Sequence, residues 1–205
     1  MTLRLHDYLQ SGNGYKVRLL LTQLGMPFER LEYDITAGET RTPGFLENVN
    51  PNGRVPVLET EDGEFLPESN AILVYLAEGT PFLPDDRLGR ARTLQWMFFE
   101  QYSHEPNIAV ARAWLHVFDT EMTEERRTAL EAKQRLGYEA LGVMEEHLED
   151  RQFFVGDRYT VADIALYAYT HVADEGRFDL EGFPAVRAWL GRVSSQPGYI
   201  PITRG

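Results

Sequence analysis

The sequence predicts an α/β domain over residues 1–78 followed by an all-helical domain over 88–200. Three observations carry this reading. Near the N-terminus, apolar residues alternate, then take a helical spacing, then alternate again. Residues 78–87 hold two prolines and no periodicity, which marks a linker. Beyond residue 88 the apolar spacing is helical almost throughout.

Leu3, Leu5 and Asp7 alternate with Arg4 and His6, as a first strand requires. Ser11-Gly12-Asn13-Gly14 reads as a tight turn. Val17, Leu20, Leu21 and Leu24 then recur at i, i+3, i+4 and i+7, a helix that Gly25 ends. Phe28 to Ile35 alternates as a second strand. Strand, helix, strand implies a parallel pair joined by a crossover. A polar loop, 36–42, leads to a short helix near 43–49. Asn50 to Gly53 are four turn residues in a row.

Val55-Pro56-Val57-Leu58 reads as a short buried strand that Pro56 opens, a position where a sheet tolerates proline. Val55-Pro56 is a candidate cis bond. In that form the backbone N–H and C=O of Val55 turn outward and can pair with an extended peptide. Phe65-Leu66 is the next strand. Glu68-Ser69 then opens a helix with Ala71, Ile72, Tyr75 and Leu76 on its apolar face. Ser69 is expected at the N-cap, where a helix N-terminus attracts a carboxylate. Glu68 beside it can hold an ammonium group.

In the second domain, 88–118 is expected as one long helical segment, kinked by Pro106. Residues 123–149 form another, with Leu130, Leu141, Met144 and Leu148 on one face. Thr160-Val-Ala-Asp163 is a capping box with Asp in place of Glu. The helix it opens is apolar almost all round and is therefore expected to be buried. Phe183-Pro184 starts a last helix through Val193, and 196–205 reads as irregular.

Composition narrows the function. The formal charge is −12, from 20 Lys and Arg against 32 Asp and Glu, which argues against nucleic acid and anionic membranes as partners. There are no cysteines, so any thiol chemistry must use a thiol carried by a ligand. No signal peptide and no bilayer-length apolar run are visible, so cytoplasm is the expected location. The histidines have no metal-ligand spacing, and no metal is expected. His104-Glu105 lacks the second histidine of a zinc-protease helix.

Asn50-Pro51-x-Gly53-x-Val55-Pro56-x-Leu58 and Glu68-Ser69-x-Ala71-Ile72-x-x-Tyr75-Leu76 together resemble the thioredoxin-like N-terminal domain of the cytosolic glutathione transferases. The capping box resembles that of their helical C-terminal domain, so the resemblance covers the whole chain. It implies a homodimer that takes glutathione as cosubstrate, activates its thiol, and delivers it to a small hydrophobic electrophile in detoxification. Arg54, Val55, Pro56, Glu68 and Ser69 are then the expected glutathione-binding residues. The Ser11-Gly12-Asn13-Gly14 turn is similar to the Thr-Pro-Asn-Gly turn of some bacterial and fungal relatives. It implies a serine/asparagine-type member in which Ser11 and Asn13 donate to the sulfur. Tyr8 is the rival donor, because other members use a tyrosine at the end of the first strand. Tyr102, His104 and Trp114 are the candidates for the electrophile pocket. Two alternatives stay open: a glutathione-dependent disulfide reductase or peroxidase, and a non-catalytic binding module on the same fold.

Overall fold

A computed structural model describes residues 2–118 and 120–204. It divides into two compact units. The first comprises the described residues of Met1–Glu78 together with those of Pro197–Gly205, and the second is Gly79–Gln196. The polypeptide after Gln196 therefore returns to the first unit, where the sequence had suggested only an irregular tail on a helical domain ending at 200.

The first unit is built on a four-stranded sheet of order β2-β1-β3-β4. Its strands are β1 (Leu3–Asp7), β2 (Phe28–Glu32), β3 (Val57–Glu59) and β4 (Phe65–Pro67). β1 and β2 are parallel, with Leu3 opposite Phe28 and Asp7 opposite Glu32. β3 is antiparallel to both β1 and β4. The expected second strand, Phe28 to Ile35, stops at Glu32, since Asp34 folds its carboxylate back onto the Thr36 and Ala37 amides as a turn. The expected strand 55–58 begins instead at Val57. The Val55–Pro56 bond is cis and lies just outside the ladder.

Helix α1 (Gly12–Gln23) crosses between β1 and β2. It ends on Leu24, and Gly25 follows at φ 65°. Gly25 N–H bonds Thr22 O and Met26 N–H bonds Leu21 O, the paired arrangement that a left-handed glycine allows. Helix α2 (Pro43–Asn48) follows a short 3₁₀ turn, Glu39–Arg41, and is capped by Thr42. Helix α3 (Ser69–Ala77) packs on α1. On one sheet face Leu5 and Asp7 are fully buried, and Asp7 meets the first turn of α1. On the other, His6 stacks on Tyr33, which meets Phe45 of α2 edge-on.

The second unit holds α4 (Arg87–Phe99), α5 (Glu105–Arg112), α6 (Glu124–Leu148), α7 (Val161–Thr170) and α8 (Pro184–Ser194). The expected single kinked helix resolves into α4, a π-helical turn at Glu100–His104, then α5 and a second π-helical turn at Ala113–Val117. The first of these turns is set by Pro106, whose missing N–H interrupts the ladder. Glu105 N–H reaches back to Glu100 O, and the Asn107 side chain donates to Ser103 O at 2.7 Å in the disturbed turn. In α6 the expected face of Leu130, Leu141, Met144 and Leu148 is buried. Among the described residues no helix is long and apolar enough to cross a membrane.

The capping box at α7 is present, and its Asp163 does more than cap. One carboxylate oxygen accepts Thr160 N–H at 2.9 Å. The other accepts Phe154 N–H at 3.1 Å and Trp189 Nε1–H at 3.0 Å, so it ties the preceding loop and α8 to the buried α7. Burial pushes this carboxyl up to about 6, against the pull of its hydrogen-bond donors.

Two substitutions test this packing. Asp163→Ala strands three buried N–H donors, so we expect a loss of about 3 kcal/mol or more in urea unfolding at neutral pH. A loss no larger than a surface change, about 0.5 kcal/mol, would contradict the assigned role. In the first unit, a Cβ on Gly14 would lie 1.6 Å from Asp7 Oδ1. Gly14→Ala should therefore destabilise by about 1–3 kcal/mol through overpacking, read by the same method. Gly142→Ala, in α6 with nothing within 4 Å of the added Cβ, provides the control for helix propensity alone.

Candidate functional site

The candidate site is assembled from the starts of two helices in the first unit. Ser11 caps α1: its backbone is extended and its Oγ accepts Gly14 N–H at 3.2 Å. That bond uses a lone pair of the hydroxyl and not its hydrogen, so Ser11 keeps a donor at the helix start. Ser11 N–H in turn bonds Tyr8 O at 2.8 Å, which closes the turn after β1. Asn13 is half-buried in the first turn of α1.

The start of α3 differs from expectation. The N-cap is Glu68, not Ser69, and no side chain caps it. Glu68 holds φ 73° and ψ 107°, a region that non-glycine residues rarely occupy and that costs on the order of 1–3 kcal/mol. This backbone turns Ser69 into the first helical residue and buries its hydroxyl. Ser69 Oγ donates to Asn13 Oδ1 at 3.2 Å. Lys16, fully buried in α1, donates to Ser69 Oγ at 3.4 Å and to Asn70 Oδ1 at 3.5 Å. The two helix N-termini, each a partial positive charge, are thereby held side by side by polar contacts.

Below this lies a buried ion pair. Asp7 Oδ2 is 3.2 Å from Arg18 Nε, and both side chains are inaccessible to solvent. Burial raises the Asp7 carboxyl to about 6, against the charge of Arg18, and lowers Arg18 from its usual value, against the charge of Asp7. The other nitrogens of Arg18 donate to Leu9 O at 2.8 Å and Arg204 O at 3.1 Å. Tyr15 Oη donates to Ile200 O at 2.8 Å. One arginine thus fixes the loop leading into Ser11 and, with Tyr15, anchors the returning C-terminal segment.

The peptide edge is shaped by Asn50, which the sequence marked only as a turn residue. Its Nδ2 donates to Arg54 O at 2.9 Å and its Oδ1 accepts Asn52 N–H at 3.0 Å. Gly53 takes φ 63°, and a Cβ there would press on the Arg41 side chain. These contacts set the approach to Val55–Pro56. Arg54 itself is exposed, and its carbonyl carries the contact to Asn50.

The structure therefore brings Ser69 to Asn13, with Ser11 beside Asn13 in the same turn. Tyr8 is half-buried beyond the end of β1. The three electrophile-pocket candidates differ in exposure. Tyr102 is 88% exposed, Trp114 is half-buried, and His104 is fully buried. His104 Nε2 lies 2.8 Å from Thr170 Oγ1, which donates its own hydrogen to Leu166 O, so the imidazole is the donor. Lys16, Arg18 and Asp7 were not marked by the sequence as site residues. The one available signal was two cations inside an otherwise apolar helix run, Val17 and Leu19 to Leu21. Among the described residues no cluster of three or more His, Asp or Glu is placed to hold a metal ion.

Residues 1–78 match the glutathione S-transferase N-terminal domain family and residues 96–197 match the glutathione S-transferase C-terminal domain family. A glutathione S-transferase from Pseudomonas fluorescens is 50% identical, with TM-score 0.95 and full coverage of both chains. A disulfide-bond oxidoreductase of Escherichia coli, YfcG, is 31% identical over 90% of this chain and 87% of its own length. The structure of the Phanerochaete chrysosporium glutathione transferase URE2P6 in complex with oxidised glutathione is 29% identical. It has TM-score 0.85 and covers 96% of this chain and 92% of that one. Both domains, in order and nearly end to end, place this chain in the glutathione S-transferase family.

Proposed function

We propose that this protein is an enzyme that binds glutathione in its first unit and stabilises the thiolate for attack on an electrophilic substrate. The observation that carries the reading is the juxtaposition of the α1 and α3 starts, held through Ser69 and Asn13. The γ-glutamyl carboxylate is assigned to the backbone N–H groups opening α3, with Ser69 behind them and Glu68 for the ammonium. The peptide lies along Val55, just outside the paired ladder, where strand-like pairing is geometrically open. The sulfur then falls to the start of α1, within reach of the Ser11 hydroxyl and the Asn13 amide.

The chemistry follows from those groups. A free cysteine-type thiol ionises near about 8.5. Donors at the sulfur and the positive end of α1 favour its anion. The chain has no cysteine, so the nucleophile belongs to glutathione. The thiolate forms a carbon–sulfur bond to the electrophile as the leaving group departs. Tyr102 and Trp114 remain the candidates for contact with that substrate. His104, being buried, is assigned to holding the π-turn Glu100–His104 against α7.

A second reaction on the same site is favoured by the relationship to a disulfide-bond oxidoreductase. Here the bound thiolate attacks a disulfide sulfur and forms a mixed disulfide, releasing a thiolate. A second glutathione thiolate then attacks the glutathione sulfur of the mixed disulfide, expelling the substrate's remaining thiolate, and the two glutathiones leave as oxidised glutathione. We also propose a homodimer. Trp96 and Met97 are buried but Phe98 is 69% exposed, and with Leu94 and Tyr102 it forms a four-residue-spaced apolar stripe along α4 and the π-turn.

Calorimetry should show glutathione binding that weakens by about 1–3 kcal/mol in Ser69→Ala and also falls in Glu68→Gln. Unchanged affinity in both would misplace the γ-glutamyl site. Turnover of an aryl halide supports conjugation, and turnover of a mixed disulfide supports the second reaction. Binding without either would overturn the enzymatic reading. Ser11→Ala and Asn13→Ala should each raise the pKa of the bound thiol by about one pH unit or less, and the double variant by more, with most of the rate lost. If Tyr8→Phe alone gives the large shift, the donor is the tyrosine. Light scattering at micromolar protein should report a dimer, and a monomer would count against the exposed stripe as an interface.

A further inference from the structure

A cavity of about 280 Å³ lies wholly within the second unit, between α4 and the end of α6. It is lined by Arg92, Gln95 and Trp96 of α4, His147 of α6, and Arg151 and Phe154 of the loop that follows. Positions 92, 95 and 96 share one face of α4, off the line of Leu94 and Phe98. Arg92 also precedes Tyr102 by ten positions, about 15 Å along the helix, so this is not the place assigned to the electrophile.

An exposed arginine is ordinarily just solvated. Three features set this pair apart. First, the chain carries 32 acidic residues, yet no acid lines the cavity and neither guanidinium has a carboxylate partner among the described residues. Arg151 is nevertheless held in place, since its Nη1 donates to His147 O at 3.1 Å. Second, Trp96 is only 7% exposed, but its indole N–H makes no hydrogen bond to any described residue. Its nitrogen is not sealed in, so it looks out through the small open part of the ring. A buried indole N–H usually finds a partner, as that of Trp189 does on Asp163. Third, the inner wall is made of rings. His147 lies 4.6 Å from Trp96 and stacks on Phe154 with 3° between the planes. Its Nε2–H donates to Phe154 O at 3.2 Å, so Nδ1 is an acceptor and the imidazole offers a ligand its ring rather than a donor.

We propose that this cavity binds a small aromatic monocarboxylate. The carboxylate accepts from Arg92, Arg151 and the Trp96 indole N–H, and the ligand's ring lies against the aromatic wall. Size limits the ligand to about one ring, because drug-sized molecules need cavities of roughly 300–1,000 Å³. Charge limits it to one carboxylate. Glu146, Glu149 and Asp150 line the adjoining opening, which shares Trp96, His147 and Arg151 with this one, and they repel a second negative charge.

The test is a titration of the full chain with benzoate at neutral pH, followed by the indole N–H signals in proton–nitrogen NMR. The Trp96 signal is assigned by its loss in Trp96→Phe. It should move and saturate, with a dissociation constant on the order of 1 mM or tighter, while the signals of Trp114 and Trp189 stay. Arg92→Gln and Arg151→Gln, both on exposed side chains, should each weaken binding about tenfold, the scale of one charge-assisted hydrogen bond. Cyclohexanecarboxylate and inorganic phosphate should bind more weakly than benzoate. Ser69→Ala should leave the titration unchanged, whatever it does to glutathione. No saturable movement of Trp96, or movement that survives intact in both arginine variants, would overturn the site. Equal binding of cyclohexanecarboxylate or phosphate would overturn the assigned ligand class. Loss of the response in Ser69→Ala would mean that benzoate acts from the glutathione site, and the proposal would fall.

Discussion

The candidate site depends on one hydroxyl. Ser69 Oγ stands between a buried ammonium and a carboxamide, and through it the beginnings of α1 and α3 become a single polar surface. Everything nearby serves to keep that contact in register. Asp7 pairs with Arg18 beneath α1, and Gly14 lets the helix approach the Asp7 carboxylate more closely than any Cβ would allow. Arg18 also holds the loop at Leu9, immediately before the Ser11 cap. Such a buried pair is weak evidence for net stability, since desolvation opposes attraction, but removing either partner strands a charge. Its contribution here is geometric: it fixes where the helix starts.

The second unit obeys a similar economy around a different carboxylate. Asp163 gathers donors from the loop before α7, from the α7 cap and from the Trp189 indole on α8. Neither unit uses a cysteine, so the redox state of the chain itself does not enter its chemistry. In the proposed function, reactivity toward electrophiles or disulfides comes from the bound thiol. On that proposal the protein would contribute donors, helix dipoles and position, and the same thiolate would serve either reaction.

Much of this was legible in the sequence, and the residues that escaped did so for identifiable reasons. Strand alternation in Leu3 to Asp7, the turn residues from Asn50 to Gly53, the Val55-Pro56 junction and the Thr160 box all act locally, so local pattern reveals them. Lys16 escaped because its partner Ser69 is 53 residues away, and a cation in a helix reads by default as solvent-facing. The cap of α3 was misplaced by one residue because serine has the stronger N-cap preference, whereas Glu68 takes a left-handed backbone that no propensity foretells. Tyr102 and His104 were grouped by closeness in sequence. Two positions apart on a helix, they point to nearly opposite sides, one to solvent and the other into the core. The last segment looked irregular because its order comes from Tyr15 and Arg18, more than 180 residues upstream.

The most direct test of the account is a crystal structure of the complex with reduced glutathione. The account places the γ-glutamyl carboxylate at the start of α3 beside Ser69, the peptide antiparallel to the Val55 backbone, and the sulfur within hydrogen-bonding distance of Ser11 or Asn13. A tripeptide bound elsewhere, or bound with its sulfur against Tyr8 and away from the start of α1, would contradict it.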